Sequence, residues 1–286
     1  MDSQTFIDAF DHIADAPEGI GRIRTLILDL AVRGRLSHQD TNDVSSTALL
    51  DRIAAERDRM VKLGQIRRRK ALLPVADDDQ PFLPNGWACI RFGELFSRMG
   101  AGSTPTGGQK AYVRDGILFL RSQNVHNSGL VLEGAARIPE SIHEKMSGTK
   151  VAGGDILLNI TGASIGRTAV VPREGWTTAN VNQHVSVLRP LIHETTEYLH
   201  LMMTSPYFQR LIASSSPGAS REGLAIKRME LFPVPIPPLA EQHRIAKRVN
   251  ELRELCDDLE QQLVAAQTVR TELRNSVIAH ALFDVN

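Results

Sequence analysis

The sequence predicts an α+β protein: one mixed α/β, strand-rich domain, with helices before it and a long coiled-coil helix at the C-terminus. Three observations carry this. A helical apolar rhythm fills the first zone, short β-rich runs between polar loops fill the middle, and a sustained heptad pattern closes the chain. The expected divisions are 1–83 for the N-terminal helices and linker, 84–237 for the strand-rich domain, and 238–286 for the long helix.

In the first zone Ile20, Ile23, Ile27, Leu30 and Ala31 keep helix spacing, and Gly34 is placed to stop that helix. A second helix is predicted from about Ser46 to near Gly64, with Leu49, Leu50, Ile53 and Met60 as its apolar positions. Ser45 or Ser46 is expected to cap it through a side-chain oxygen. "IRRRKALLPVADDDQPFLPNG" then reads as a linker whose basic run (Arg67 to Lys70) and acidic run (Asp77 to Asp79) are solvated charge.

The middle zone holds most of the glycines and four β-like runs: "ILFLRS" (117–122), "DILLNITG" (155–162), "RTAVVP" (167–172) and "HVSVLRP" (184–190). Two short helices are expected around Thr196–Met203 and Pro206–Ala213. The loops between are rich in Gly, Ser, Thr and Asn, the setting in which binding residues sit.

In the last zone Pro237 and Pro238 introduce a helix, because the N–H groups of a first turn have no partner to lose. Glu241 then faces the positive end of the helix dipole. Ile245, Val249, Leu252, Cys256, Leu259, Leu263, Ala266, Arg270, Leu273, Val277 and His280 follow in alternating steps of four and three. Nine of these eleven positions are apolar, a coiled-coil seam. At 1.5 Å per residue, about 40 residues span near 60 Å, more than a small domain is wide, so the seam is assigned to a partner helix. Arg270 within it is a polar position of the kind that sets register. A weak match at an offset of 250 pairs Arg24, Ile27, Leu28, Ala31 and Val32 with Arg274, Val277, Ile278, Ala281 and Leu282. If it is a true repeat, the chain is one unit of an array that closes by dimerisation.

Composition narrows the function. The formal net charge is zero, yet residues 84–237 carry 15 Lys+Arg against 11 Asp+Glu, while both flanking zones are net −2. A mildly basic middle permits nucleic-acid binding without requiring it. Cys89 and Cys256 form no CxxC pair, no apolar run approaches 18 residues, and the acidic N-terminus lacks the features of a signal peptide. A cytoplasmic protein without a membrane span, disulfide or metal site is expected.

Catalytic motifs fail on inspection. In "GAGSTPTGGQK" (100–110) Gly102 and Gly107 have P-loop spacing, but Gly108 and Gln109 stand where Lys and Ser/Thr belong. "TGASIGRT" (161–168) is too short between glycines, and Pro105 occupies the third-glycine position of a dinucleotide fingerprint. "TSPY" (204–207) lacks the second proline of the tetrapeptide with which amino-methyltransferases hold a base. A non-catalytic binding subunit is the expectation.

"LPNGWACIRFGEL" (83–95), "LRSQNV" (120–125), "GDILLNITGASIGRTAVV" (154–171), "NQHVSVLRP" (182–190) and "FPVPIPPLAEQHRIAKRV" (232–249) resemble the target-recognition domain and following helix of type I restriction–modification specificity subunits. "RIRTLILDLAVRGRL" and "LLDRIAAERDRMVKLGQIRRRK" resemble the segment that precedes such a domain. The resemblance implies double-stranded DNA as ligand, with one half of a split site read per domain. It implies methyltransferase subunits that carry S-adenosylmethionine as partners, with restriction/translocase subunits in a larger complex, and no cofactor on this chain. The family's usual subunit has two recognition domains and two long helices; this chain has one of each, so it resembles a half-subunit that dimerises. The alternative is a coiled-coil protein scaffold that does not bind DNA.

Base readout uses Arg on guanine and Asn or Gln on adenine, while Lys, Arg, Ser and Thr hold phosphates. The candidates for DNA contact are Ser103, Thr104 and Lys110; Arg121, Gln123 and Asn124; Ser164, Arg167 and His184; and Ser220, Arg221 and Lys227. Thr161, Asn182 and Gln183 lie in motifs shared with the resembled family and are assigned to the scaffold, because recognition residues vary with the target.

Overall fold

The computed structural model describes residues 18–215 and 223–283. They form two compact units, one comprising Leu28–Ala246 and the other joining residues up to Ile27 with those from Lys247. The division falls within helix α1 (Gly19–Val32) and within helix α7 (Leu239–Phe283).

The larger unit holds two four-stranded sheets. One has the order β6 (Ala136–Ile138), β3 (Ile117–Leu120), β10 (Ala179–Val181), β7 (Lys150–Val151). The other has the order β2 (Phe96–Ala101), β11 (Val185–Pro190), β8 (Ile156–Asn159), β9 (Thr168–Val170). Of these strand pairs only β3–β10 is parallel; the rest are antiparallel. Leu120, Val151, Ala179 and Val181 of the first sheet and Leu157, Ala169, Val185 and Val187 of the second share one core, all at most 2% exposed. Burying each such aliphatic side chain contributes roughly 1.5–3 kcal/mol. A hairpin of β4 (Val125–His126) and β5 (Gly129–Leu130) adds Val125 to the core.

The chain closes this unit with its own ends. β1 (Ala88–Arg91) pairs antiparallel with β12 (Pro233–Ile236). Pro233 and Pro235 sit at alternate positions, so both missing N–H groups fall on one strand edge, while Val234 and Ile236 remain able to donate. Below this pair, Trp87 Nε1 donates to Glu241 Oε2 at 2.8 Å, Ser37 Oγ donates to Glu241 Oε1 at 3.3 Å, and Gln242 Nε2 donates to Pro237 O at 3.0 Å. Tyr198 adds a bond from its hydroxyl to Pro235 O at 2.9 Å and an edge contact to the Trp87 ring. The proline block is thus a buried junction where the strand ends and α7 begins.

Helix α2 (Ser46–Lys62) and the two predicted short helices, α4 (Thr196–Thr204) and α5 (Pro206–Ser215), stand where the sequence puts them. Gly34 ends α1 at φ +65°, a conformation that costs other residues a Cβ clash. Two shorter helices complete the unit, α3 (Glu140–Lys145) between β6 and β7 and α6 (Ile226–Met229) between α5 and β12.

One expectation needs correction. Neither Ser45 nor Ser46 caps α2: Ser45 makes no side-chain cap bond, and the buried Ser46 hydroxyl lies 2.7 Å from both Gly86 O and Ile236 O. Closing the buried junction takes the hydroxyl that an exposed helix end would have used. The charged runs, Arg67 to Lys70 and Asp77 to Asp79, are exposed as expected, while the segment that carries them is tied to the domain. Arg69 donates to Gly93 O, Leu72 N donates to Glu94 Oε1 at 3.1 Å, and Arg91 holds the carbonyls of Leu73 and Pro74. Arg57 pairs with the same Glu94, and burial pulls its pKa down. The compact unit therefore begins well before residue 84.

In the second unit Arg24 of α1 reaches Asp257 and Glu260 of α7, each at 2.6 Å. Along α7 the seam changes character. Ile245, Val249 and Cys256 are buried, Leu252, Leu259 and Leu263 are half-buried, and Ala266, Arg270, Leu273, Val277 and His280 are exposed. Among the described residues no helix is long and apolar enough to cross a membrane.

Candidate functional site

Strand register brings four loops to one edge. The parallel pairing of Leu120 with Val181 sets the loop after β3 beside the turn that follows β10. Pairing of Asn159 with Val185 brings the loop after β8 to the same turn, and pairing of Ala101 with Ser186 brings the loop after β2. The shared element is Asn182–His184, the three residues that carry the chain from one sheet to the other.

The result is an open cleft of about 470 Å³. Ser122 and Gln123 line it from the first loop, Thr161, Ser164 and Arg167 from the β8–β9 loop, and His184 from the crossing turn. Thr161 Oγ1 lies 2.5 Å from His184 Nδ1, and Gln183 Nε2 lies 3.0 Å from His184 Nε2. Thr104 donates to Gln183 Oε1, which joins the glycine-rich loop to the group. One of its glycines, Gly102, is there for a steric reason. A Cβ on Gly102 would come 2.0 Å from Val181 O, while Gly102 N donates to Val185 O at 2.9 Å. Close backbone approach, not phosphate, explains the residue.

The expected DNA contacts divide on this geometry. Gln123, Ser164, Arg167 and His184 share the cleft, and Thr104 is tied to it through Gln183. Ser103 is exposed beside Thr104, with its backbone N–H donated to Val181 O. Lys110 is exposed in the 3-10 turn Gly108–Ala111. Arg121 does not line the cleft; its guanidinium stands 5.8 Å above the Tyr112 ring. Lys227 is exposed on α6 and pairs with Glu230 at 3.2 Å. Asn124 must be withdrawn as a DNA contact. It is 2% exposed, its Oδ1 accepts from Arg121 N at 2.9 Å, and its Nδ2 donates to Val131 O at 2.9 Å. Both ends of that amide hold the turn into β4. Ser220 and Arg221 lie outside the described residues, although Leu224, close after them, donates its N–H to Ile160 O at 2.7 Å.

Sequence reasoning passed over Asn159. It is fully buried, and its Nδ2 donates to Ser122 O at 2.8 Å and Ser164 Oγ at 3.2 Å, so one amide clamps two walls of the cleft. Its signal was a polar residue closing the apolar run of "DILLNITG". Sequence spacing also gave no hint that Glu140, His143 and Glu144 place one potential ligand atom each within 4.8 Å of the others. Two of the three are already engaged: His143 Nδ1 with Asn180 Oδ1 at 2.6 Å, and Glu144 with Lys150 at 2.9 Å.

A rigid two-sheet core that presents polar loops from one edge, on a chain that continues into a long helix, defines a recognition module. Residues 84–266 match the family model of the type I restriction modification DNA specificity domain, and the chain belongs to that family. It is 32% identical over 269 residues to the type I restriction enzyme EcoEI specificity subunit of Escherichia coli, covering 91% of this chain and 44% of that protein. It is 30% identical over 274 residues to the EcoAI specificity subunit of Escherichia coli, with the same coverage. The chain thus spans less than half the length of these relatives. A chain from a solved type I R-M system, described in terms of complex assembly and conformational transition, shares the fold. It matches with a TM-score of 0.52 and 15% identity, over 96% of this chain and 58% of that one.

Proposed function

We propose that this chain is the DNA-recognition component of an adenine-methyltransferase complex, reading one half of a divided duplex site. The observation that carries the reading is the meeting of Gln123, Ser164, Arg167 and His184 in one cleft on a chain of this family. Residues 84–237 are the recognition domain, and the helix from residue 238 is the spacer and dimerisation element. Methyltransferase subunits with S-adenosylmethionine supply the chemistry, and restriction/translocase subunits complete the larger assembly.

The second copy is supported by the seam. Leu273 and Val277 are 64% and 60% exposed on a helix whose heptad register continues through them. Two copies would also provide two recognition domains and two long helices, matching the length of the relatives. A symmetric dimer predicts a split palindromic target. Light scattering tests the dimer, and a strict monomer at every concentration overturns it. Selection from a pool of random duplexes tests recognition. Arg167→Ala is expected to relax preference at one position by about 1–3 kcal/mol if it reads a base, or to weaken all sequences evenly with a shallower salt dependence if it holds phosphate. Unchanged selection by the variant removes Arg167 from the interface.

A further inference from the structure

A chain of polar contacts runs from Thr104 by way of Gln183 and His184 to Thr161 in the cleft. Gln183 stands between Thr104 and His184. Its Oε1 accepts the Thr104 hydroxyl, which leaves its NH2 group facing His184 Nε2 at 3.0 Å. With the amide in this orientation its NH2 group has no lone pair to accept with, and His184 Nε2 accepts. The ring proton then sits on Nδ1. Nδ1 is 2.5 Å from Thr161 Oγ1, so the hydroxyl oxygen accepts from the ring. Thr161 is left with its own proton uncommitted, on a residue that lines the cleft.

We propose that Thr161 is a specificity-determining hydrogen-bond donor to bound DNA, and that His184 is the positioning residue that sets its polarity. The inference rests on the DNA reading above and reverses the scaffold role that the sequence suggested for Thr161. The scaffold role belongs to its neighbours. His184 N donates to Asn182 Oδ1 at 3.1 Å and Ile160 N donates to His184 O at 3.0 Å, which hold the ring against the hydroxyl. Arg167, the charged group of the same cleft, can only donate. Two donors lining one cleft suit an acceptor-rich face, either the N7 and O6 edge of guanine or a phosphate oxygen. Exposed Thr104, having given its proton to Gln183, offers only lone pairs.

Two measurements on the full chain test this. Nitrogen-15 NMR of the unbound protein at neutral pH is expected to show the His184 proton on Nδ1; a proton on Nε2 overturns the relay. Binding to a random-duplex pool is then compared for wild type, Thr161→Ser and Thr161→Val. Serine keeps the hydroxyl and is expected to bind within about twofold of wild type, whereas valine loses about tenfold. Loss confined to one base position identifies a base-edge acceptor, and an even loss across sequences with a shallower salt dependence identifies phosphate. Valine binding that equals wild type overturns the assignment while leaving the DNA reading intact. A wild-type chain that retains no duplex overturns the DNA reading itself, and Thr161's role with it, even if the NMR result stands.

Discussion

The loop cleft and the entry to α7 are built from the same kinds of polar side chain and use them in opposite ways. At the entry, Ser46, Glu241 and Gln242 are each 1% exposed, and the Ser46 hydroxyl, the Glu241 carboxylate and the Gln242 NH2 group are engaged with Trp87, Ser37 and nearby carbonyls. At the cleft, Gln183 and Arg167 are exposed, Thr161 and His184 are half-buried, and the Thr161 hydroxyl lies both against the His184 ring and on the open lining. Polar groups sealed among fixed partners hold a fold together; polar groups ordered by fixed partners but open to solvent are equipped to bind.

The sharpest way to break the contrast is Trp87→Ala. It removes a buried ring and the indole donor of Glu241 together, and is expected to cost about 3–5 kcal/mol in urea unfolding. Gly102→Ala comes next. Its new Cβ must displace the Val181 carbonyl, at a cost of about 1–3 kcal/mol, and duplex selection is expected to degrade with it because the crossing turn moves. Glu241 offers a pH test. Burial raises its pKa above 4.5, against the opposing bonds from Trp87 and Ser37. The folded state therefore holds that proton more tightly than the unfolded chain does. The resulting stability is complete below about pH 4.5 and is lost as pH rises through the folded-state value. Glu241→Gln is expected to flatten that part of the stability–pH profile, and an unchanged slope would assign it to other groups. The smallest effect belongs to Arg24→Ala, whose partners Asp257 and Glu260 are more than half exposed; less than about 1 kcal/mol is expected, shrinking further in salt.

What could be read from the sequence was local. The helices announced themselves by apolar spacing and by glycine stops at Gly34 and Gly64, and the four strong strands by their β-branched runs. What could not be read depended on register. Ser46 looked like a cap because its distant partners, Gly86 O and Ile236 O, are 40 and 190 residues away. Asn124 looked like a base reader because nothing local shows that its amide is consumed by Arg121 and Val131. Asn159 looked like the end of a strand, yet it ties Ser122 to Ser164. The cleft gathered Gln123, Ser164, Arg167 and His184 from three separate stretches only because β3, β8, β10 and β11 place their ends together.

The outward-facing apolar positions of α7 have a consequence for the protein's behaviour on dilution. Leu273, Val277 and Ile278 are 64%, 60% and 49% exposed, and among the described residues no sheet or second helix covers them. If a second copy supplies it, the order of this stretch obeys mass action rather than sequence alone. Its thermal midpoint should then climb with protein concentration while that of the two-sheet core stays fixed. Expression level would then set how much of the protein is in the assembled form.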